Sequence, residues 1–187
     1  MTTPPKTNAS EPRIEILFSA QQIADRNKLL ATEIAAHHDK DLLVIPVLKG
    51  SFIFAADLIR EMYLNELSPQ VDFLYLASYY DGTKSSGKVD ILRDIQTDVA
   101  GRDVLLIDDI LESGRTLQFA AELMRSRGAA SVKICVFLDK TVLRAKDIDL
   151  DPDYVGFTCS DLFVIGYGMD LAQRYRELPF VGHIVDE

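Results

Sequence analysis

The sequence predicts an α/β protein with a mostly parallel, twisted sheet flanked by helices. Three observations carry that expectation. Short, almost continuously apolar runs at Leu42–Val47, Val104–Ile107 and Val132–Leu138 read as strands buried on both faces. Segments of helical periodicity alternate with them. Polar stretches containing Gly and Ser follow the apolar runs, at the carboxyl ends where such sheets bind ligands.

Ser19 followed by Gln22 reads as a capping box that opens a helix, with Ile23, Leu30 and Ile34 facing inward. Leu42–Val47 is the next strand, and Pro46 predicts that it ends there. Lys49-Gly50-Ser51 turns the chain into a helix carrying Phe52, Ala55, Ala56 and Ile59. Val71–Leu76 reads as a strand leading into Asp81–Lys88, a polar, Gly-rich stretch with nothing to bury, which predicts a mobile loop. A β-like segment, Val89–Ile95, follows. Val104–Ile107 then runs into Asp108, Asp109 and a turn. The helix from about Thr116 ends at Gly128, with Arg125 and Arg127 in its last turn. Val132–Leu138, Tyr154–Cys159 and Phe163–Tyr167 complete the strands.

A chain of 187 residues supports one core of ordinary size, so residues 13–187 are read as a single domain. Met1–Pro12, rich in Thr, Pro, Asn and Ser without an apolar stretch, reads as a disordered lead-in and not a signal peptide. The net charge of −9 argues against a nucleic-acid-binding surface, which needs clustered Lys and Arg. No apolar run approaches the roughly 18 residues of a membrane span. Cys135 and Cys159 lack metal or redox spacing and read as reduced thiols, which points to the cytoplasm.

The most informative stretch is Asp108-Asp109-Ile110-Leu111-Glu112-Ser113-Gly114-Arg115-Thr116. A buried strand delivers adjacent carboxylates, and a small-residue turn opens a helix. The N–H groups of such a turn can cradle a phosphate at the positive end of the helix dipole. Gly114 lets the backbone approach the anion, and the hydroxyls of Ser113 and Thr116 add donors. Asp108 and Asp109 suit ribose hydroxyls or a Mg²⁺ ion better than the same phosphate. A plainly capped helix with solvated acids is the simpler alternative.

This segment resembles the ribose-phosphate signature of type I phosphoribosyltransferases. Leu48-Lys49-Gly50-Ser51, Ser78-Tyr79, Asp139-Lys140, Phe163–Asp170 and Arg174–Pro179 resemble the motifs of the hypoxanthine-guanine branch, in the family's order. The likeness spans roughly residues 13 to 185. It implies transfer of a phosphoribosyl group from 5-phosphoribosyl 1-pyrophosphate to a 6-oxopurine, with Mg²⁺ as cofactor. It also implies a small hood built from the chain ends, a cis peptide before Lys49, and a homodimer or homotetramer.

By the same resemblance Asp108, Asp109, Glu112, Ser113, Gly114 and Thr116 hold the phosphoribosyl group; Arg115 in the same turn is a milder variation on the family pattern, expected to add positive charge near the phosphate. Lys49, Gly50 and Arg176 meet the pyrophosphate. Lys140 donates to the purine 6-oxo group, Phe163 stacks on the base and the Val164 backbone reads its edge. Asp170 lies at the purine end and, with Asp108 and Asp109, supplies the metal acids. Ser78 and Tyr79 belong to the mobile loop that would close over the site. Glu112 stands where the family usually carries Asp, in the position for proton exchange with the purine N7; the acid chemistry is kept on a side chain one methylene longer.

Competing readings are weaker. Gly82, Gly87 and Lys88 fit most of a P-loop, but Val89 lacks the hydroxyl it needs and no helical pattern follows. No GxSxG or other nucleophile motif involves His37, His38 or His183. A non-catalytic regulator that binds phosphoribosyl pyrophosphate stays open at this stage, as does the preference between hypoxanthine and guanine.

Overall fold

The computed structural model describes residues 13–38, 41–81 and 84–185, and the side chains of 78–88 lie outside it. The lead-in 1–12, the tip of the expected mobile loop and the side chains of Ser78 and Tyr79 therefore lie outside the described residues. In chain order the elements are β1 (Ile14–Phe18), α1 (Ala20–Ala35), β2 (Leu43–Leu48), α2 (Phe52–Leu64), β3 (Gln70–Val71), β4 (Leu74–Asp81) and β5 (Lys84–Arg93). Then come β6 (Asp103–Leu111), α3 (Arg115–Ser126), β7 (Ser131–Asp139), a 3₁₀ turn at Thr141–Leu143, β8 (Tyr154–Thr158), β9 (Val164–Ile165) and β10 (Val181–Ile184).

The main sheet runs β5-β4-β2-β6-β7-β8, with β3 beside β2. Every pairing in it is parallel except β4 with β5. The apolar runs look continuous because successive residues serve two cores. Val44, Leu105, Ile107 and Phe137 pack with α1 and α2, whereas Leu43, Ile45, Val104 and Leu106 pack with α3. The ends of the described chain meet in a second, antiparallel sheet, β1-β10-β9. This is the small hood.

Local chemistry explains the boundaries. Both halves of the Ser19–Gln22 capping box are present at the start of α1. Gly128, at φ 87°, follows α3 as expected of a left-handed terminator. The peptide between Leu48 and Lys49 is cis.

Pro46 does not end β2, which continues to Leu48. The Val44 carbonyl accepts from the Asp72 N–H at 3.1 Å, so residue 46 faces the same side. Its missing donor falls at the break between β3 and β4, where the ladder asks for none. Asp72 occupies that break, its carboxylate accepting from the amides of Phe73, Gln96 and Thr97 at 2.7–2.9 Å. The expected single strand at Val71–Leu76 is therefore split.

β5 begins at Lys84, not Val89, because the polar stretch pairs back onto β4. α2 buries Phe54, Ala55, Leu58 and Met62, while Phe52 is exposed. At the free edge of the main sheet, Arg26 of α1 donates to the β8 carbonyls of Val155 at 2.8 Å and Gly156 at 3.0 Å. Glu33 holds the same guanidinium at 2.7 Å. No helix among the described residues is long and apolar enough to cross a membrane.

Candidate active site

β6 carries Asp108 and Asp109 near its carboxyl end and closes on Ile110 and Leu111, which return to the apolar cores on its two faces. Asp108 is buried, and that burial, followed by the neighbouring Asp109 carboxylate, pushes its carboxyl well above the usual range. Burial raises Asp109 as well, opposed by hydrogen bonds and by the charge of Arg176. Two acids side by side resist being ionised together unless a cation or hydrogen-bond donor joins them.

The turn that follows opens a helix N-terminus, an arrangement that favours anions in general. Gly114 is the N-cap of α3 at φ 84°, and offers no side chain to cover the first amides of the helix. A Cβ there would also lie 2.8 Å from Ile148 Cγ2. Ser113, Gly114 and Thr116 line a cavity of about 290 Å³ together with Asp108, Asp109, Glu112, Lys140, Phe163, Val164 and Asp170. Most residues named from sequence thus face one space.

Lys140 directly follows β7 and is only 3% exposed. Its Nζ donates to Glu112 Oε1 at 2.7 Å, and its backbone N–H to the Leu111 carbonyl at 3.0 Å. The pair is asymmetric, because the Glu112 side chain is 43% exposed. Separating them would leave a desolvated ammonium and a solvated carboxylate, so a replacement acceptor is needed beside Lys140. Phe163 stands at the cavity mouth, 62% exposed, with a ring face available for stacking. Val164 is buried in β9, opposite His183 of β10, so the hood supplies that wall.

Lys49, Gly50, Arg115 and Arg176 do not line the cavity. Gly50 abuts it through Asp109, since a Cβ on Gly50 would fall 1.8 Å from Asp109 Oδ2. The Lys49 ammonium lies 5.6 Å from the Tyr75 ring centroid. Arg176 abuts the cavity through Asp170, at 2.6 Å. Arg115, expected to add charge near a phosphate, turns its guanidinium to Asp147 Oδ1 at 2.9 Å. Only its main chain belongs to the turn.

Among the described residues no three His, Cys, Asp or Glu side chains converge as a metal cage. Asp108, Asp109 and Asp170 line one cavity without forming a closed ligand set. The paired acids still suit a hard cation, which takes carboxylate oxygens and completes its shell with water or substrate oxygens.

Sequence reasoning missed Arg144. Its guanidinium donates to Asp139 Oδ1 at 2.7 Å and to the Glu112 carbonyl at 3.0 Å. Ala145 N–H adds a bond to the Ser113 carbonyl at 3.1 Å. These contacts tie the Glu112–Thr116 turn to the end of β7, next to Lys140. A lone Arg four residues after a Lys carries no signal of that in the sequence.

Comparison with known proteins extends the likeness well beyond the turn. The sequence model of the phosphoribosyl transferase domain matches residues 14–172. A hypoxanthine-guanine phosphoribosyltransferase of Bacillus subtilis is 44% identical over 171 residues, covering 90% of this chain and 91% of that protein. The crystal structure of a hypoxanthine phosphoribosyltransferase from Staphylococcus aureus superposes with a TM-score of 0.87 at 35% identity, covering 96% of this chain and 97% of the other. A hypoxanthine-guanine phosphoribosyltransferase from Bacillus anthracis, solved with HEPES in its active site, gives 0.86 at 39% identity over 94% of this chain and 100% of the other. Because the family model and these alignments each span most of the chain, this chain belongs to the phosphoribosyltransferase family.

Proposed function

We propose that the protein transfers the 5-phosphoribosyl group from 5-phosphoribosyl 1-pyrophosphate to hypoxanthine or guanine, a purine-salvage reaction giving IMP or GMP and pyrophosphate. The observation that carries this reading is the single cavity joining the Glu112–Thr116 turn to a buried Lys140. The turn receives the 5′-phosphate on its amides and on the hydroxyls of Ser113 and Thr116. Asp108 and Asp109 hold the ribose hydroxyls.

Phe163 stacks on the base, the Val164 backbone meets its edge, and Lys140 donates to the 6-oxo group. That oxygen is the acceptor which replaces Glu112 beside the ammonium. Adenine would instead present an amino donor to a buried cation, leaving the cation unpaired. Glu112, released, is positioned to exchange a proton with the purine N7.

Lys49, Gly50 and Arg176 receive the pyrophosphate end, and Ser78 and Tyr79 belong to the segment that closes over it. Asp108, Asp109 and Asp170 would hold Mg²⁺, which supplies neutralisation of the charge that develops on the leaving pyrophosphate. Exclusion of water protects the reactive sugar from hydrolysis. Cytoplasmic residence, supported by unpaired Cys135 and Cys159, and assembly as a homodimer or homotetramer complete the proposal.

The test is product formation from phosphoribosyl pyrophosphate and Mg²⁺ with hypoxanthine, guanine, xanthine and adenine in parallel. Turnover of hypoxanthine or guanine with adenine inert is expected. Adenine turnover would overturn the role of Lys140. Binding of phosphoribosyl pyrophosphate without turnover of any base would make the protein a regulator.

A further inference from the structure

Tyr167 occupies an uncommon stretch of backbone. Gly166, Tyr167 and Gly168 take φ values of 96°, 50° and 101° in succession. Glycine enters this region freely, whereas a residue with a Cβ stays there only when its surroundings hold it. Here they do. The ring is buried against Phe137, with centroids 4.9 Å apart. Its phenol donates to Asp57 Oδ2 at 2.8 Å and accepts from Asn27 Nδ2 at 2.7 Å. Asn27 is itself buried in α1, and Asp57 of α2 is further held by Arg60. The phenol therefore joins two helices to one loop. Burial and the Asp57 carboxylate push it above its ordinary range, so it remains a donor at working pH.

The loop it anchors carries the far end of the candidate site. Gly168 accepts from the Arg176 guanidinium and donates its N–H to the Arg176 carbonyl at 3.0 Å. A Cβ on Gly168 would stand 2.1 Å from the Gly50 carbonyl oxygen, so this loop and the Lys49–Gly50 turn are in direct contact. Asp170 follows two residues later and pairs with Arg176. Both loops thus meet one residue away from Tyr167.

We infer that Tyr167, bracketed by Asp57 and Asn27, is a positioning residue that sets the Gly168–Arg176 loop against the Lys49–Gly50 turn for the pyrophosphate end of the substrate. The inference rests on the proposed assignment of Lys49, Gly50 and Arg176 to that end. It predicts an effect confined to one substrate. A Tyr167→Phe chain keeps the ring and loses only the bracket.

Steady-state kinetics with hypoxanthine and phosphoribosyl pyrophosphate, alongside melting curves, test it. Tyr167→Phe should raise KM for phosphoribosyl pyrophosphate roughly tenfold while KM for hypoxanthine stays within about twofold. Asp57→Asn keeps an acceptor oxygen and should behave as wild type, whereas Asp57→Ala should raise the phosphoribosyl pyrophosphate KM selectively, in the same direction as Tyr167→Phe and by no more. The Tyr167→Phe, Asp57→Ala double variant should be no worse than Tyr167→Phe alone, because that change already removes the bond to Asp57. An unchanged KM for phosphoribosyl pyrophosphate in Tyr167→Phe overturns the inference. So does an equal rise in both KM values with a lowered melting point, the mark of general loosening. Arg176→Ala is the separate control: if it leaves the phosphoribosyl pyrophosphate KM unchanged, the pyrophosphate assignment itself fails.

Discussion

Replacing Gly50 by alanine should separate stability from activity. The added Cβ would meet all three outer atoms of the Asp109 carboxylate, at 1.8, 2.4 and 2.8 Å. Ordinary contact begins near 3.4 Å, so the carboxylate must withdraw by about 1.6 Å. It can do so by rotating its side chain, at a cost of about 1 kcal/mol. That lowers the melting temperature by roughly 2–4 °C in a chain of this length. The chemistry has no such freedom. A catalytic contact displaced by more than an ångström loses roughly 10²-fold in rate, and Asp109 is proposed to hold the ribose. Gly168→Ala is the contrasting case. Its Cβ would strike the Gly50 main-chain oxygen, and its φ of 101° disfavours any side chain. Backbone against backbone has no cheap escape, so about 3 kcal/mol or more is lost and melting falls by roughly 6–12 °C. Differential scanning fluorimetry with kcat/KM for phosphoribosyl pyrophosphate reads both quantities. A Gly50→Ala enzyme of wild-type kcat/KM would refute the placement of Asp109 at the reacting sugar.

Asp108→Asn should abolish turnover yet raise the melting temperature at pH 7.5. The Asp108 carboxyl is raised by burial and by Asp109, so the native state holds its proton more tightly than the unfolded chain does. That stability is present below the ordinary carboxylate range and is lost as pH rises through the raised native pKa. Asparagine cannot ionise and keeps the acceptor for the Asp109 N–H, at 3.0 Å in the wild type. A variant melting at or below wild type at pH 7.5 contradicts the sign. Glu112→Gln should lower kcat by about 10²–10⁴-fold; turnover within a few-fold of wild type removes Glu112 from proton exchange. Lys140→Met should raise KM for hypoxanthine roughly 10–100-fold, the worth of a hydrogen bond to a charged group. Phosphoribosyl pyrophosphate KM should hold steady, and unchanged hypoxanthine binding would exclude Lys140 from base recognition.

Residue-level rules read the part of the site written in one stretch, whereas Lys140, Phe163, Val164 and Asp170 of the same cavity are legible only through the family resemblance. Asp108 to Thr116 presents strand, acids, turn and helix start in consecutive residues, and local rules suffice there. The Tyr167 bracket draws on partners 110 and 140 residues away, which no periodicity records. Pro46 misleads for a related reason: the lost donor is visible in the sequence, but the gap opposite it is made by Asp72. The Lys84–Lys88 segment looks like loop because its polarity says nothing about pairing, and strand β4 supplies the partner. Arg115 shows the converse limit, since proximity in sequence to a phosphate-shaped turn did not decide where its guanidinium goes.

The Arg26 contact with β8 bears on how the molecule behaves in a crowded solution. A sheet that ends in free main-chain acceptors is a template on which a second chain can add a strand. Here a guanidinium, itself clamped by Glu33, already occupies carbonyls of that border. An incoming strand must first expel a charge from its bonds. Damage at Arg26 would accordingly appear as precipitate in a concentrated sample well before it appeared as a slower reaction.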